Sequence, residues 1–205
     1  IVLALLGTQL ASVYCSVVGF FRGGSSPCGG SSTILLQESF DNLSGWNFTA
    51  GKGWKLLNGQ LTVTTPDGEQ RGFTGQTSWT DYTVKVQQAN LQQGNGYGIY
   101  FRTSDQPTVN GYVFQYDPGY AKFLIRKVVD GNESPPIATA PIPAQFQWTN
   151  VTRLVQIDVR GSTFTASIDG TTVLQAQDTQ FTSGRVGLRA WDDTHASFDN
   201  LTVSK

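Results

Sequence analysis

From Thr33 to the C-terminus, apolar and polar residues alternate with a period of two. Leu61-Thr-Val-Thr-Thr, Tyr82-Thr-Val-Lys-Val, Tyr112-Val-Phe-Gln-Tyr, Leu154-Val-Gln-Ile-Asp-Val and Phe164-Thr-Ala-Ser-Ile all show it. Successive side chains of a strand point to opposite faces, so this pattern predicts strands with one buried and one wetter side. Turn pairs fall between them: Asn58-Gly59, Asp67-Gly68, Asn110-Gly111, Asp130-Gly131 and Asp169-Gly170. Asn-Gly and Asp-Gly supply the positive φ of tight hairpins. Roughly twelve to fourteen short strands and no helix are expected here, packed as two antiparallel sheets in a β-sandwich.

Residues 1–21 read differently, with no charge before Arg22. As a helix they span roughly 31 Å, enough to cross a bilayer core. Small residues recur every fourth position, in one row as Ala4, Thr8, Ser12 and Ser16 and in another as Gly7, Ala11 and Cys15. Such rows let apolar helices approach closely, and the hydroxyls bond back to their own helix. Residues 22–32, RGGSSPCGGSS, form a flexible linker in which Pro27 stops any helix. Cys28 is within reach of Cys15, and three states are open: a bridge within the chain, a bridge between subunits, or two free thiols.

Composition narrows the setting. Fourteen Lys and Arg against fifteen Asp and Glu give a net charge of −1 and no basic run, which argues against nucleic acid. Charged residues make up 14%, below the roughly 25% of an ordinary soluble domain. Asn42, Asn47, Asn132, Asn150 and Asn200 each begin an N-x-S/T acceptor sequence for glycosylation. Together these features predict an extracellular protein.

Two resemblances follow. The opening segment resembles the N-terminal helices of type IV pilins, matured by a cut before residue 1, with Leu5 in place of their Glu. Over residues 33–205, several motifs recur in order. They run Glu38-Ser-Phe-Asp41, Gly45-Trp46, Trp54-Lys-Leu-Leu-Asn58-Gly59, Trp79-Thr-Asp-Tyr82, Gly98-Ile-Tyr-Phe-Arg102, Gly184-Arg-Val-Gly-Leu-Arg-Ala-Trp191 and Phe198-Asp-Asn-Leu-Thr-Val203. This series resembles the concanavalin A-like lectin/glucanase and laminin-G-like jelly rolls. The implied chain is mainly β, with one N-terminal hydrophobic α-helix. Its implied function is that of a surface-filament subunit, polymerising with itself through the helix after a membrane-bound stage and binding glycans outside. A membrane-anchored carbohydrate-binding module is the alternative, and a glycoside hydrolase the weaker one.

Residue chemistry favours binding over catalysis. Glycoside hydrolysis uses two carboxylates about 5–9.5 Å apart. The three glutamates are Glu38, Glu69 and Glu133, and only Glu69 has a carboxylate two residues away, in Asp67-Gly-Glu69. That pair is expected to be solvated in a turn. Asp192 and Asp193 are adjacent, and His195 has no nucleophile motif nearby. Sugar-ligand candidates are Tyr100, Arg102, Tyr112 and Tyr116, on the expectation that alternate strand positions share one exposed face, with Trp191 and Asp192 on the loop after Leu188. The same platform suits a subunit interface. No cofactor is required. The single metal candidate is a structural calcium ion where the first and last strands meet, using Glu38 or Asp41 with Asp199. The competing assignment has those carboxylates capping turns.

Overall fold

The computed structural model describes residues 32–64 and 68–205. The helix expected over 1–21, its packing residues Ala4, Gly7, Thr8, Ala11, Ser12 and Ser16, and the Cys15–Cys28 bridge lie outside the described residues. The same holds for Asp67 of the second turn pair. One compact unit runs from Ile34 to Lys205. It consists of strands and connecting turns, with no helix among the described residues.

Among the described residues, fifteen strands make two sheets. In the eight-stranded sheet, β13 (Thr171–Gln177), β12 (Thr163–Ile168), β11 (Thr152–Arg160), β6 (Tyr82–Gln93), β15 (His195–Ser204), β4 (Gln60–Thr64) and β3 (Trp54–Leu57) lie in that order. The first strand, β1 (Ile34–Glu38), adds to β15, with Glu38 opposite Leu201. The seven-stranded sheet runs β10 (Asn132–Pro141), β9 (Lys122–Val129), β8 (Asn110–Asp117), β7 (Tyr97–Ser104), β14 (Arg185–Ala190), β5 (Gln70–Thr74) and β2 (Asn47–Ala50). Every pairing is antiparallel.

The period of two decides which side chains meet between the sheets. Tyr97, Ile99 and Phe101 of β7, Tyr112, Phe114 and Tyr116 of β8, and Val186 and Leu188 of β14 join the core with Val84, Val86, Ile157, Phe164 and Phe198 from the facing sheet. Phe101 and Tyr112 both pack on Phe164, at ring separations of 5.0 and 4.6 Å. Each large ring removed from water contributes on the order of 2–3 kcal/mol. Trp54 opens β3 against Val63, and Trp79 meets the buried Tyr82 edge-on.

Three expected hairpin turns form: Asn58-Gly59 (φ 52° and 73°), Asp130-Gly131 (50° and 82°) and Asp169-Gly170 (51° and 80°). Positive φ at both positions is the type I′ geometry that matches strand twist. Asn110-Gly111 departs from the expectation. Both residues lie inside β8, and the reversal that precedes them is the loop Asp105–Val109.

The Tyr97 hydroxyl is buried in this core without a hydrogen-bond partner among the described residues. Its ring stacks on Tyr116 at 4.8 Å and meets Phe198 edge-on at 5.2 Å. An unpaired buried hydroxyl costs roughly 1–3 kcal/mol. Tyr97→Phe keeps both ring contacts and removes that cost. Urea denaturation should show the variant more stable by about 1 kcal/mol, and a loss of stability would refute the assignment.

Candidate functional site

The outer face of the seven-stranded sheet carries the opposite parity of the strands that fill the core. On β8 the outward set is Val113, Gln115 and Asp117; on β9 it includes Arg126; on β14, Arg189; on β5, Arg71. Register places these side by side, with Arg189 opposite both Gly98 of β7 and Arg71 of β5. Phe73, Tyr100, Val109, Val113 and Val128 form a small second apolar cluster on the same face. Polar side chains gather beside that cluster.

Arg189 is the hub. Its Nε donates to Glu69 Oε1 and its Nη1 to Glu133 Oε1, both as tight contacts, with only 7% of the residue exposed. Arg71 grips Glu69 from the other side, donating from Nε to Oε1 and from Nη2 to Oε2, each at 2.7 Å. Gln115 Nε2 donates to Glu133 Oε1 at 2.6 Å, while its Oε1 accepts from Arg126 Nε at 2.8 Å. The hydroxyl of Tyr100 reaches Glu69 Oε1 at 3.5 Å. Polar groups from six strands, together with Glu69 just before β5, are thereby locked into a single network of donors and acceptors.

A cavity of about 390 Å³ opens over this chain. Glu69, Glu133, Gln115 and Arg189 line it, with Asp117 and Asp192 at its sides. Two aromatics flank it. Trp191 lies 4.8 Å from the Arg189 guanidinium, and Tyr120, 65% exposed, lies 5.5 Å from that of Arg126. Asp117 Oδ1 accepts from the Tyr120 backbone N–H at 2.9 Å, which fixes the turn carrying the ring. The exposed ring of Tyr120 and the half-buried ring of Trp191, beside charge-locked planar acceptors, offer both a stacking face and directed hydrogen bonds.

Burial pushes the Glu69 carboxyl up, but the hydrogen bond from Arg71 and the charge of Arg189 outweigh it and hold the group below its ordinary value. Asp117 goes the other way, raised chiefly by burial despite the Tyr120 N–H. A depressed carboxylate contributes stability that is fully present above its unfolded value of 4.5 and lost as pH falls through its lower folded value. Glu69→Gln should therefore cost about 1–2 kcal/mol near neutrality, with the parent–variant gap closing in acid. Urea denaturation at about pH 7 and again well below the ordinary carboxylate range measures that gap.

The candidates from sequence divide. Trp191 and Asp192 line the cavity, and Tyr100 stands beside it. Tyr112 and Tyr116 do not belong to this face, because their rings are fully buried between the sheets. Tyr112 Oη donates to Asp178, and Tyr116 Oη to the Trp148 carbonyl. Arg102 is also displaced from Tyr100's side. A left-handed φ of 47° and a register shift after Phe101 turn it toward Asp81 and the Phe164 ring, away from both Asp105 and Asp117. Glu69, expected in solvent, is instead at the centre of the network. Gln115, Asp117, Tyr120, Glu133 and Arg189 were not singled out, although polar residues at strand positions out of phase with the core were the available signal.

The three carboxylates weighed for calcium make local hydrogen bonds, as the competing assignment has them. Glu38 accepts from Phe40 N and Trp46 Nε1, Asp41 from Ser39 Oγ, and Asp199 from Asn200 N. No group of three His, Cys, Asp or Glu residues gathers for a metal among the described residues. His195 begins β15, half-buried. Of the sequon asparagines, Asn42, Asn132 and Asn150 are exposed, whereas Asn47 is half-buried and donates to Asp105 Oδ2 at 2.8 Å.

Comparison with known proteins agrees with this architecture. The levanase of Bacillus subtilis (strain 168) is 30% identical over 159 residues, which is 73% of this chain; the chain spans only 22% of the levanase. The carbohydrate-binding module CBM66 from Bacillus subtilis superposes with a TM-score of 0.68 at 24% identity, covering 80% of this chain and 98% of that one. The VIP36 exoplasmic/lumenal domain, in a form bound to Ca²⁺ and Man3GlcNAc, gives 0.64 at 12% identity over 84% of this chain and 89% of its own. The fold is a lectin-like, galectin-like β-sandwich. The pilin resemblance does not hold, and the filament assembly that rested on it falls too. Residues 36–204, most of the chain, match the 3-keto-alpha-glucoside-1,2-lyase-like domain, and it is to that family that the chain belongs.

Proposed function

We propose that residues 34–205 form an extracellular carbohydrate-binding module that seats one sugar ring in the cavity over Arg189. The observation that carries this reading is the pairing of Glu69 and Glu133 through one buried guanidinium, with the rings of Tyr120 and Trp191 at the edge. A sugar presents vicinal hydroxyls that bond bidentately to planar carboxylate, amide and guanidinium groups. It also presents a C–H face that packs on an aromatic ring. The cavity volume of about 390 Å³ lies within the roughly 300–1,000 Å³ of small-molecule sites. Likeness to a levanase and to a carbohydrate-binding module supports the assignment. The low charge content and the acceptor sequons support the extracellular setting.

Binding is favoured over bond cleavage by the state of the carboxylates. Glu69 is held ionised between two arginines and so does not offer the proton that glycoside cleavage draws from a carboxylic acid, and Glu133 Oε1 is already occupied by Arg189 and Gln115. Calorimetric titration of the full chain with fructose, glucose, levan-derived fructooligosaccharides and maltooligosaccharides tests the reading. At least one sugar should bind, weakened about tenfold by Tyr120→Ala through the lost stacking contact. Absence of binding to the whole panel would overturn the module, and release of product from any oligosaccharide would overturn its restriction to binding.

A further inference from the structure

A second cavity of about 270 Å³ opens beside the first, lined by Thr49, Arg71, Asp105, Gln106, Pro107 and Gly131 among others. The two are joined by one side chain. Arg71 donates from Nε and Nη2 to Glu69, which lines the first cavity, and from Nη2 to the Gly131 carbonyl at 3.1 Å, which lines the second. We propose that this second cavity is a neighbouring sugar subsite, so that the module reads at least two consecutive residues of a glycan with Arg71 between them. The proposal rests on the reading of the first cavity as a sugar site.

Its lining carries the chemistry a second ring needs. Arg71, the Gln106 amide and the Thr49 hydroxyl supply donors; the Asp105 carboxylate and the Gly131 carbonyl supply acceptors; Pro107 supplies an apolar edge. Asp105 is only 6% exposed and is braced from behind, its Oδ2 accepting from Asn47 Nδ2 at 2.8 Å and from Arg185 Nη1 at 3.1 Å. The side chains of Gln106 and Thr49 are exposed and make no hydrogen bond among the described residues, so they can turn to a ligand.

The loop that forms the far wall is held in place before any ligand arrives. Ser104 Oγ donates to the Thr108 carbonyl at 3.1 Å, Asp130 N to Asn110 Oδ1 at 2.9 Å, and Gly131 N to the Val109 carbonyl at 2.8 Å. Those bonds tie the Asp105–Val109 loop to the β9–β10 turn whose Gly131 also receives Arg71. A wall fixed in advance spares the ordering cost that weakens binding by mobile loops.

Calorimetry on the full chain separates the possible results, using fructose and glucose, levan-derived fructotriose and maltotriose, and the double variant Thr49→Ala/Gln106→Ala. One or two extra hydrogen bonds should make the trisaccharide bind about tenfold tighter than its own monosaccharide. The double variant should erase that gain while leaving monosaccharide affinity and melting temperature unchanged. Equal affinity for monosaccharide and trisaccharide in the parent would overturn the second subsite and leave the first intact. A gain that survives in the double variant would also overturn it. Failure of all four sugars to bind would instead overturn the reading on which the proposal rests.

Discussion

Arg189→Ala should weaken sugar binding about 100-fold and lower stability by about 3 kcal/mol. Among the described residues, the guanidinium alone touches both Glu69 and Glu133, and it does so almost wholly out of water. Removing it leaves two carboxylates facing one another across a methyl group. Breaking a buried ion pair costs about 3–5 kcal/mol. The low end applies, because Glu69 and Glu133 keep 27% and 26% of their side-chain surface in water, where solvent screens them. Arg71 continues to neutralise Glu69, and Gln115 to bond Glu133, so the domain should still fold. Ligand affinity is hit harder, by about 100-fold, since the two carboxylates lose their common anchor and Trp191 loses the cation 4.8 Å away. Arg189→Lys should restore part of the stability and little of the affinity, because a compact ammonium lacks the rigid planar fork that holds both carboxylates in fixed positions. Calorimetry beside urea denaturation checks both. Affinity within threefold of the parent would show that the network is structural only.

The sandwich was legible in the sequence because its cause is local. Alternation in Tyr112-Val-Phe-Gln-Tyr116 decides that three aromatics share a face, and they do. It does not say which face. A platform of Tyr and Phe at alternate positions suits a sugar, but burial of apolar area is the larger force, so Tyr112, Phe114 and Tyr116 turn to the facing sheet. The face proposed for the ligand is what the core leaves over, namely Val113, Gln115 and Asp117 of the same strand. Arg102 shows a different limit, since one left-handed residue breaks the parity that relates it to Tyr100. The network around Glu69 depends on pairing between strands far apart in the chain. Arg189 lies 120 positions from Glu69 and 56 from Glu133, and no spacing motif reports such contacts. Trp191 and Asp192 were accessible to sequence reasoning because a Trp-Asp pair leaving a strand is a local feature.

That last pair depends on a glycine, and Gly96→Ala should show how closely. Gly96 lies just before β7 with φ near 128°, a conformation side-chain-bearing residues rarely adopt. A Cβ there would sit 2.2 Å from the Tyr116 carbonyl oxygen, 3.1 Å from Trp191 Cζ2 and 3.2 Å from Asp117 Cα. The first neighbour is backbone inside the sheet and cannot swing aside; the other two belong to the cavity. The Gly96 carbonyl meanwhile accepts from the buried Thr194 Oγ1 at 2.9 Å, the bond that ties the Trp191–Thr194 turn to β7. Strain at such a φ costs about 1–3 kcal/mol and overpacking a similar amount, so a loss of about 4 kcal/mol is expected. In a chain of this size that lowers the melting temperature by roughly 8–16 °C. Relief of the clash must move Trp191 or Asp117, so tryptophan fluorescence should shift and sugar affinity should fall at temperatures where the variant is still folded. A variant that melts within about 3 °C of the parent, which is less than 1.5 kcal/mol, would mean that β7 and the 191–194 turn yield independently and that the cavity is not braced through Gly96.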